Sequence, residues 1–90
     1  MNAQPIAMDV GAMPFDARTA RAARALLGWT QGELAEQAKL GVSTVYDFER
    51  ERRAIPADTE AAIQRALEQA GVEFLDGDAP GVRLRKRRKS

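Results

Sequence analysis

"WTQGELAEQAKLGVSTVYDFERERRAIP", Trp29 to Pro56, decides how this chain folds. Thr30-Gln31-Gly32-Glu33 has the form of a capping box: the threonine hydroxyl accepts from the amide three residues on, and the glutamate reaches back to the threonine amide. A helix that starts there turns Leu34, Ala35 and Ala38 to one side. Lys39-Leu40-Gly41 must hold a turn, because Gly41 is a poor helix interior and a tolerable N-cap. A second helix is expected over roughly Val42 to Arg52. Val45 and Phe48 stand three apart and face inward. Ser43, Tyr46, Asp47 and Arg50 fall at i, i+3, i+4 and i+7 on the opposite, outer face. Two helices joined by so short a turn cannot lie antiparallel. They cross steeply, and the second is propped outward by the first.

The pattern extends in both directions. Upstream, Asp16 is a good N-cap for the alanine-rich "ARTARAARALL", and Phe15 is placed to fold back on Ala20 as a hydrophobic staple. That helix stops near Gly28, with Ala20, Ala23 and Leu27 as its inner stripe and Ala17 and Leu26 flanking. Trp29, between two packed helices, reads as core. Downstream, Pro56 breaks the chain. A helix over about Ala57 to Ala70 follows, with Ile63, Leu67 and Ala70 as its stripe and Gly71 as its stop. "VEFL" at 72–75 and "VRLR" at 82–85 flank the turn-rich "DGDAPG", which predicts a β-hairpin. Two aspartates with no following glutamate make that loop a turn and not a calcium site. Residues 1–14 have no period and contain two prolines. The organisation expected is a flexible arm at 1–14, a helical domain at 15–71, a hairpin at 72–85 and a basic flexible tail at 86–90.

Composition bounds the function. Ninety residues form one domain. There is no cysteine, which fits a reducing cytosol. There is no histidine, which removes the commonest general base and the commonest transition-metal ligand. No cofactor, metal or enzymatic activity is expected. No apolar run approaches the roughly 18 residues of a membrane span, and the first residues lack the pattern of a secretion signal. The net charge of +1 is unevenly spread. Arg83, Arg85, Lys86, Arg87, Arg88 and Lys89 are 6 of the 14 basic residues, which leaves 8 basic against all 13 acidic ones, a net of −5, over residues 1–82.

A steep two-helix corner with an exposed second helix is the geometry of the helix-turn-helix, whose second helix enters the DNA major groove. "RALLGWTQGELAEQAKLGVSTVYDFERERR" resembles the lambda-repressor-like (XRE/Cro) family of bacterial and phage regulators. The marks are Arg24 before the first turn, "WTQ" before the second helix, "ELAE" within it, "STV" opening the third and "FER" at its close. The resemblance spans about residues 16–71. It implies a mainly α fold, a compact bundle of four to five helices, to which this chain adds the C-terminal β-hairpin. It also implies roles. Gln31 matches a glutamine that holds a DNA phosphate beside a helix N-terminus. Val42 and Ser43 match the first base-reading positions, and Asp47 the next, one turn on. Arg50, Arg52 and Arg53 fall where relatives grip the backbone. Arg24 and Glu49 match a pair that forms a buried ion bridge between the first and third helices.

Two departures stand out. Lys39 occupies the place of the usual turn glycine, so either a left-handed lysine carries strain on the order of 1 kcal/mol or the turn shifts toward Gly41. The base-reading set is also modest. Val42 offers apolar contact to a thymine methyl, Ser43 bonds permissively, and Asp47 accepts from cytosine N4 while repelling phosphate. Each residue has a plainer reading. Val42 serves equally as a partly buried turn residue, and Ser43 and Thr44 as caps for helix-start amides. Tyr46 points to solvent and reads as a contact residue. The run "RLRKRRK" reads as a phosphate-gripping arm, as a solvated tail or, in another cell type, as a nuclear targeting signal, and the acidic body favours the first.

Two classes of partner follow. A dimeric regulator would bind double-stranded DNA with two-fold symmetry, in the cytoplasm of a bacterium or a phage-infected cell, and would associate with the nucleoid when bound. Alternatively, the acidic body and exposed third helix would dock on a transcription factor, as an antiactivator that keeps the fold.

Overall fold

The computed structural model of the chain describes residues 15–75 and 81–85. The N-terminal arm, the 76–80 turn and the tail from 86 lie outside them. Four helices come first: α1 (Ala17–Leu27), α2 (Gln31–Ala38), α3 (Val42–Glu49) and α4 (Ala57–Gln69). Two antiparallel strands follow, β1 (Val72–Leu75) and β2 (Gly81–Leu84), paired Val72 to Leu84 and Phe74 to Val82. None of the helices is long and apolar enough to cross a membrane, among the described residues.

Local chemistry starts the first two helices. Asp16 accepts from the Thr19 amide at 3.0 Å, and the Thr19 hydroxyl accepts from the Asp16 amide at 2.8 Å. Thr30 and Glu33 make the reciprocal pair at 3.0 and 2.8 Å. Each box satisfies two backbone donors that a helix start otherwise leaves open.

Three of the four helix stops share one device, and α4 instead ends on Ala70 in right-handed conformation. At Gly28, Lys39 and Glu51 the backbone turns left-handed, with φ of 70°, 62° and 55°. In each case the next amide bonds back five residues: Trp29 to the Arg24 carbonyl at 3.0 Å, Leu40 to Ala35 at 2.9 Å, and Arg52 to Asp47 at 3.0 Å. These are Schellman closures, which satisfy the last carbonyls of a helix. Only the first uses glycine. The turn therefore sits at Lys39 and is not displaced toward Gly41, which instead caps α3 with extended backbone. The third closure corrects the expected end of the third helix. α3 stops at Glu49, three residues short of Arg52, because Glu51 takes the left-handed conformation although no glycine or proline marks it.

One apolar core joins all six elements. Ala20 and Ala23 of α1, Leu34 and Ala35 of α2, Val45 and Phe48 of α3, Ile63 and Leu67 of α4, and Val72 of β1 are buried together. Phe15 stacks on Phe48, with ring centroids 5.5 Å apart, and meets the edge of Phe74 at 5.1 Å. The hairpin is thereby sewn to the helices, with β2 against α1 and β1 against α4. Val82 and Phe74 are partly buried on its inner face. Trp29 is half-buried against the core, where its carbonyl also has a use described below.

Two expectations follow from these termini. Replacing Lys39 with glycine relieves about 1 kcal/mol of left-handed strain but gives the unfolded chain more freedom. The net gain is on the order of half a kcal/mol, roughly 2–4 °C in thermal midpoint, and no rise in calorimetry would mean that the lysine is unstrained. The Asp16 carboxyl lies below its ordinary value. Partial burial is the largest influence and pushes it up, but the bonds from the Thr19 amide and the Arg18 guanidinium together outweigh it. A carboxyl depressed on folding stabilises above its unfolded value, and that contribution fades as pH falls through the folded one. The stability lost in Asp16→Ala, about 1 kcal/mol at neutral pH, should therefore narrow in urea titrations below about pH 4.

Candidate nucleic-acid interface

The outer face of α3 is set by what its inner face holds. Val45, Phe48 and Glu49 point inward and are buried. Val42 is 52% exposed and Tyr46 40% exposed, with Ser43 and Arg50 open to solvent beside them and Thr44 half-buried. α3 begins at Gly41, which has no side chain to cap it.

Glu49 is the anchor. It is 1% exposed, the single buried charged residue in the described core. Its Oε2 accepts from Arg24 Nε and its Oε1 from Arg24 Nη2, both at 2.8 Å. Gln31 Nε2 donates to the same Oε1 at 3.1 Å. Arg24 Nη1 donates to the Trp29 carbonyl at 3.0 Å, and Arg21 donates to the Glu49 backbone carbonyl. Two parallel charge-assisted bonds fix the guanidinium plane as well as its position. The Glu49 carboxylate accordingly holds the Arg24 guanidinium above even its usual high value, against the opposing effect of burial. This network ties α1, the start of α2 and the end of α3 into one unit.

The other site residues fall into small groups. Arg50 lies over the Tyr46 ring, 5.3 Å from its centroid. Asp47 is half-buried and takes two arginines, Arg53 Nε on Oδ2 at 2.9 Å and Arg52 Nε on Oδ1 at 3.6 Å. Gln31 stands at the first residue of α2 as expected, but its amide is turned to Glu49. Arg83 and Arg85 both pair with Glu73 on the outer face of the hairpin. The Arg83 hydrogen bond, then its charge and that of Arg85, keep the Glu73 carboxyl below its ordinary value. Lys86, Arg87, Arg88 and Lys89 lie outside the described residues. No cluster of three or more acidic side chains that could hold a metal is present among those described.

Sequence reading missed several of these contacts, the bond from Gln31 to Glu49 among them. Arg21 and the Trp29 carbonyl join the Glu49 network, and Asp47 gathers Arg52 and Arg53. The spacing from Asp47, five and six residues, is not a same-face helical spacing. Only the reversal at Glu51 brings those arginines back.

A family model described as helix-turn-helix matches residues 21–71, more than half of the chain. The chain belongs to that family, the lambda-repressor or XRE type of DNA-binding regulator. The matched stretch contains the Glu49 network and the whole of α2 and α3. No curated protein matches the chain.

The network makes a sharp prediction about stability. Glu49→Ala leaves the Arg24 guanidinium without its carboxylate and opens space beneath α3. It should cost about 3–5 kcal/mol in denaturant unfolding, and a loss below about 1 kcal/mol would mean that the pair is not what holds α3.

Proposed function

We propose that the protein is a sequence-specific regulator that binds double-stranded DNA as a dimer, with α3 in the major groove. The observation that carries this reading is the exposed face of a helix pinned from behind by a buried ion pair: Val42, Ser43, Tyr46 and Arg50 project from a rod whose other face is locked. A rigid helix presenting side chains at fixed spacing is what base reading in the major groove requires.

In this reading Val42 meets a thymine methyl, and Ser43, with Thr44 behind it, bonds a base edge. Tyr46 lies along the groove wall with Arg50 stacked on it, so the guanidinium is held in one place before it meets a phosphate. Gln31, at the N-terminus of α2, turns from Glu49 to a phosphate beside that helix start, where the amides and the helix dipole favour an anion. Arg52 and Arg53 grip the backbone at the far end of α3. The C-terminal run of Arg83, Arg85, Lys86, Arg87, Arg88 and Lys89 supplies charge that offsets the acidic body. Two copies place their α3 helices about one helical turn apart on a site with two-fold symmetry.

A second reading is favoured by the net of −5 over residues 1–82 and by the ion-paired state of Arg52, Arg53, Arg83 and Arg85. In that case the same face docks on a basic transcription factor and holds it off DNA. Gel-shift assays on the promoter of the protein's own gene separate the two. The DNA reading expects a shifted band that weakens steeply with salt, with affinity reduced at least tenfold by Ser43→Glu or Arg50→Glu. Equal, weak affinity for any duplex would overturn it, and recovery of a basic regulator in a pull-down from the native cell would favour the second.

A further inference from the structure

Asp47 sits on the face of α3 that the DNA reading turns toward the groove, one turn after Ser43. It is not free there. The left-handed residue Glu51 sends the chain back on itself, and Arg52 and Arg53 return to the Asp47 carboxylate from beyond the helix end. The contacts are Arg53 Nε to Oδ2 at 2.9 Å and Arg52 Nε to Oδ1 at 3.6 Å. Two guanidiniums on two oxygens that share one negative charge is also how arginines take a phosphate. The free protein thus carries its own phosphate surrogate beside the cations assigned to the DNA backbone.

We propose that Asp47 couples base recognition to phosphate binding, so that the arginines are released only where a cytosine amine lies opposite the carboxylate. This rests on the DNA reading and adds to it the residue that sets discrimination, together with the base it selects. On a duplex with no amine at that step, the carboxylate has nothing to replace the arginines. Arg52 and Arg53 stay shared between Asp47 and the backbone, and each bond they give to a phosphate leaves the Asp47 carboxylate less compensated against a polyanion. Where cytosine N4 is present, its N–H donates to the carboxylate, which is the pairing that acidic side chains make in the major groove. Arg52 and Arg53 then turn to phosphates at little cost. Their side chains, 60% and 52% exposed, are loose enough to make that exchange. Exposed pairs of this kind are individually weak, so the surrogate competes with phosphate without blocking it. Arg50 is outside the exchange, because it rests on the Tyr46 ring and not on Asp47.

The test uses the full chain and three proteins: wild type, Asp47→Asn, and the triple variant Asp47→Asn, Arg52→Gln, Arg53→Gln. Asparagine keeps the side-chain shape and removes the charge, and matched thermal midpoints check that each variant folds. Affinity is measured by fluorescence anisotropy, from about 50 to 200 mM salt, for a duplex of unrelated sequence and for the duplex that wild type enriches from a random pool. Asp47→Asn should bind the unrelated duplex several-fold to about tenfold more tightly. Its salt slope should be steeper by about 1–2, one step of roughly 0.9 for each phosphate gained. In the triple variant that gain should disappear. From the random pool, wild type should enrich cytosine at one step of each half-site, and Asp47→Asn should lose that preference while keeping the others. The proposal is overturned if Asp47→Asn binds the unrelated duplex no better than wild type, if the gain survives in the triple variant, or if the cytosine preference survives the substitution. Wild type that binds no duplex at 50 mM salt would overturn the DNA reading itself, and this coupling with it. Wild type that binds selectively while Asp47→Asn changes nothing would overturn the coupling alone.

Discussion

The Glu49 carboxylate lies under α3 with almost no access to solvent, and the position of the exposed face depends on it. Burying a charge is costly unless bonds replace its hydration. Here Arg24 supplies two bonds and Gln31 a third. Apolar residues of similar volume would fill the same space, often with equal or greater stability. What they would not supply is direction. The planar pair between Arg24 and Glu49 fixes the rotation of α3 about its own axis, because a bidentate bridge tolerates little twist. Rotation decides whether Ser43 and Tyr46 face outward or sideways, so the buried pair sets the exposed face of α3 through geometry. Arg21 and the Trp29 carbonyl extend the network to the backbone on either side. The site is therefore held by α1 and the α1–α2 junction as firmly as by the turn that precedes α3.

The three Schellman closures show how so small a chain packs helices with such short joints. Each closure reverses the chain within two residues while satisfying carbonyls that a frayed end would leave open. Glycine makes this cheap at Gly28. At Lys39 and Glu51 the chain accepts a left-handed conformation that side chains disfavour. At Glu51 the strain coincides with the placement of Arg52 and Arg53 beside Asp47, an arrangement that a longer α3 would have carried away along the helix. Among the described residues, the ion pairs of Asp47 with Arg52 and Arg53, and of Glu73 with Arg83 and Arg85, also intersperse carboxylates with these basic side chains.

Much of the fold was legible in the residues. The Thr30–Glu33 capping box, the N-cap at Asp16, the inward stripes of α1 and α2, the stop at Gly28 and the two strands lie close to where their local patterns put them, whereas the bond from the Asp16 amide to Thr19 did not show in the sequence and Ala66, not Ala70, is buried on α4. The strand boundaries differ by one residue at β2, which pairs from Gly81 to Leu84 and not from Val82 to Arg85. The hairpin read as an appendage to the helical domain. In the structure Val72 is in the common core, and Phe74 meets Phe15 across a sequence separation that no local pattern encodes. The candidate interface was legible in part. The outward set on α3 follows from spacing, and the Arg24–Glu49 bridge followed from the family resemblance. The orientation of Gln31 and the engagement of Asp47 followed from neither.

The sequence by itself determined what is written in residues up to four apart: where helices begin, which face of each is apolar, and that two of them meet at a short corner. Those features rest on capping, periodicity and turn chemistry, which act within one helical turn. Tertiary structure decided where α3 ends, which carboxylate each arginine meets, and that the hairpin shares the core. These depend on contacts between residues distant in the chain, or on a left-handed residue that only the surrounding packing makes affordable, and no short stretch of sequence contains the partner.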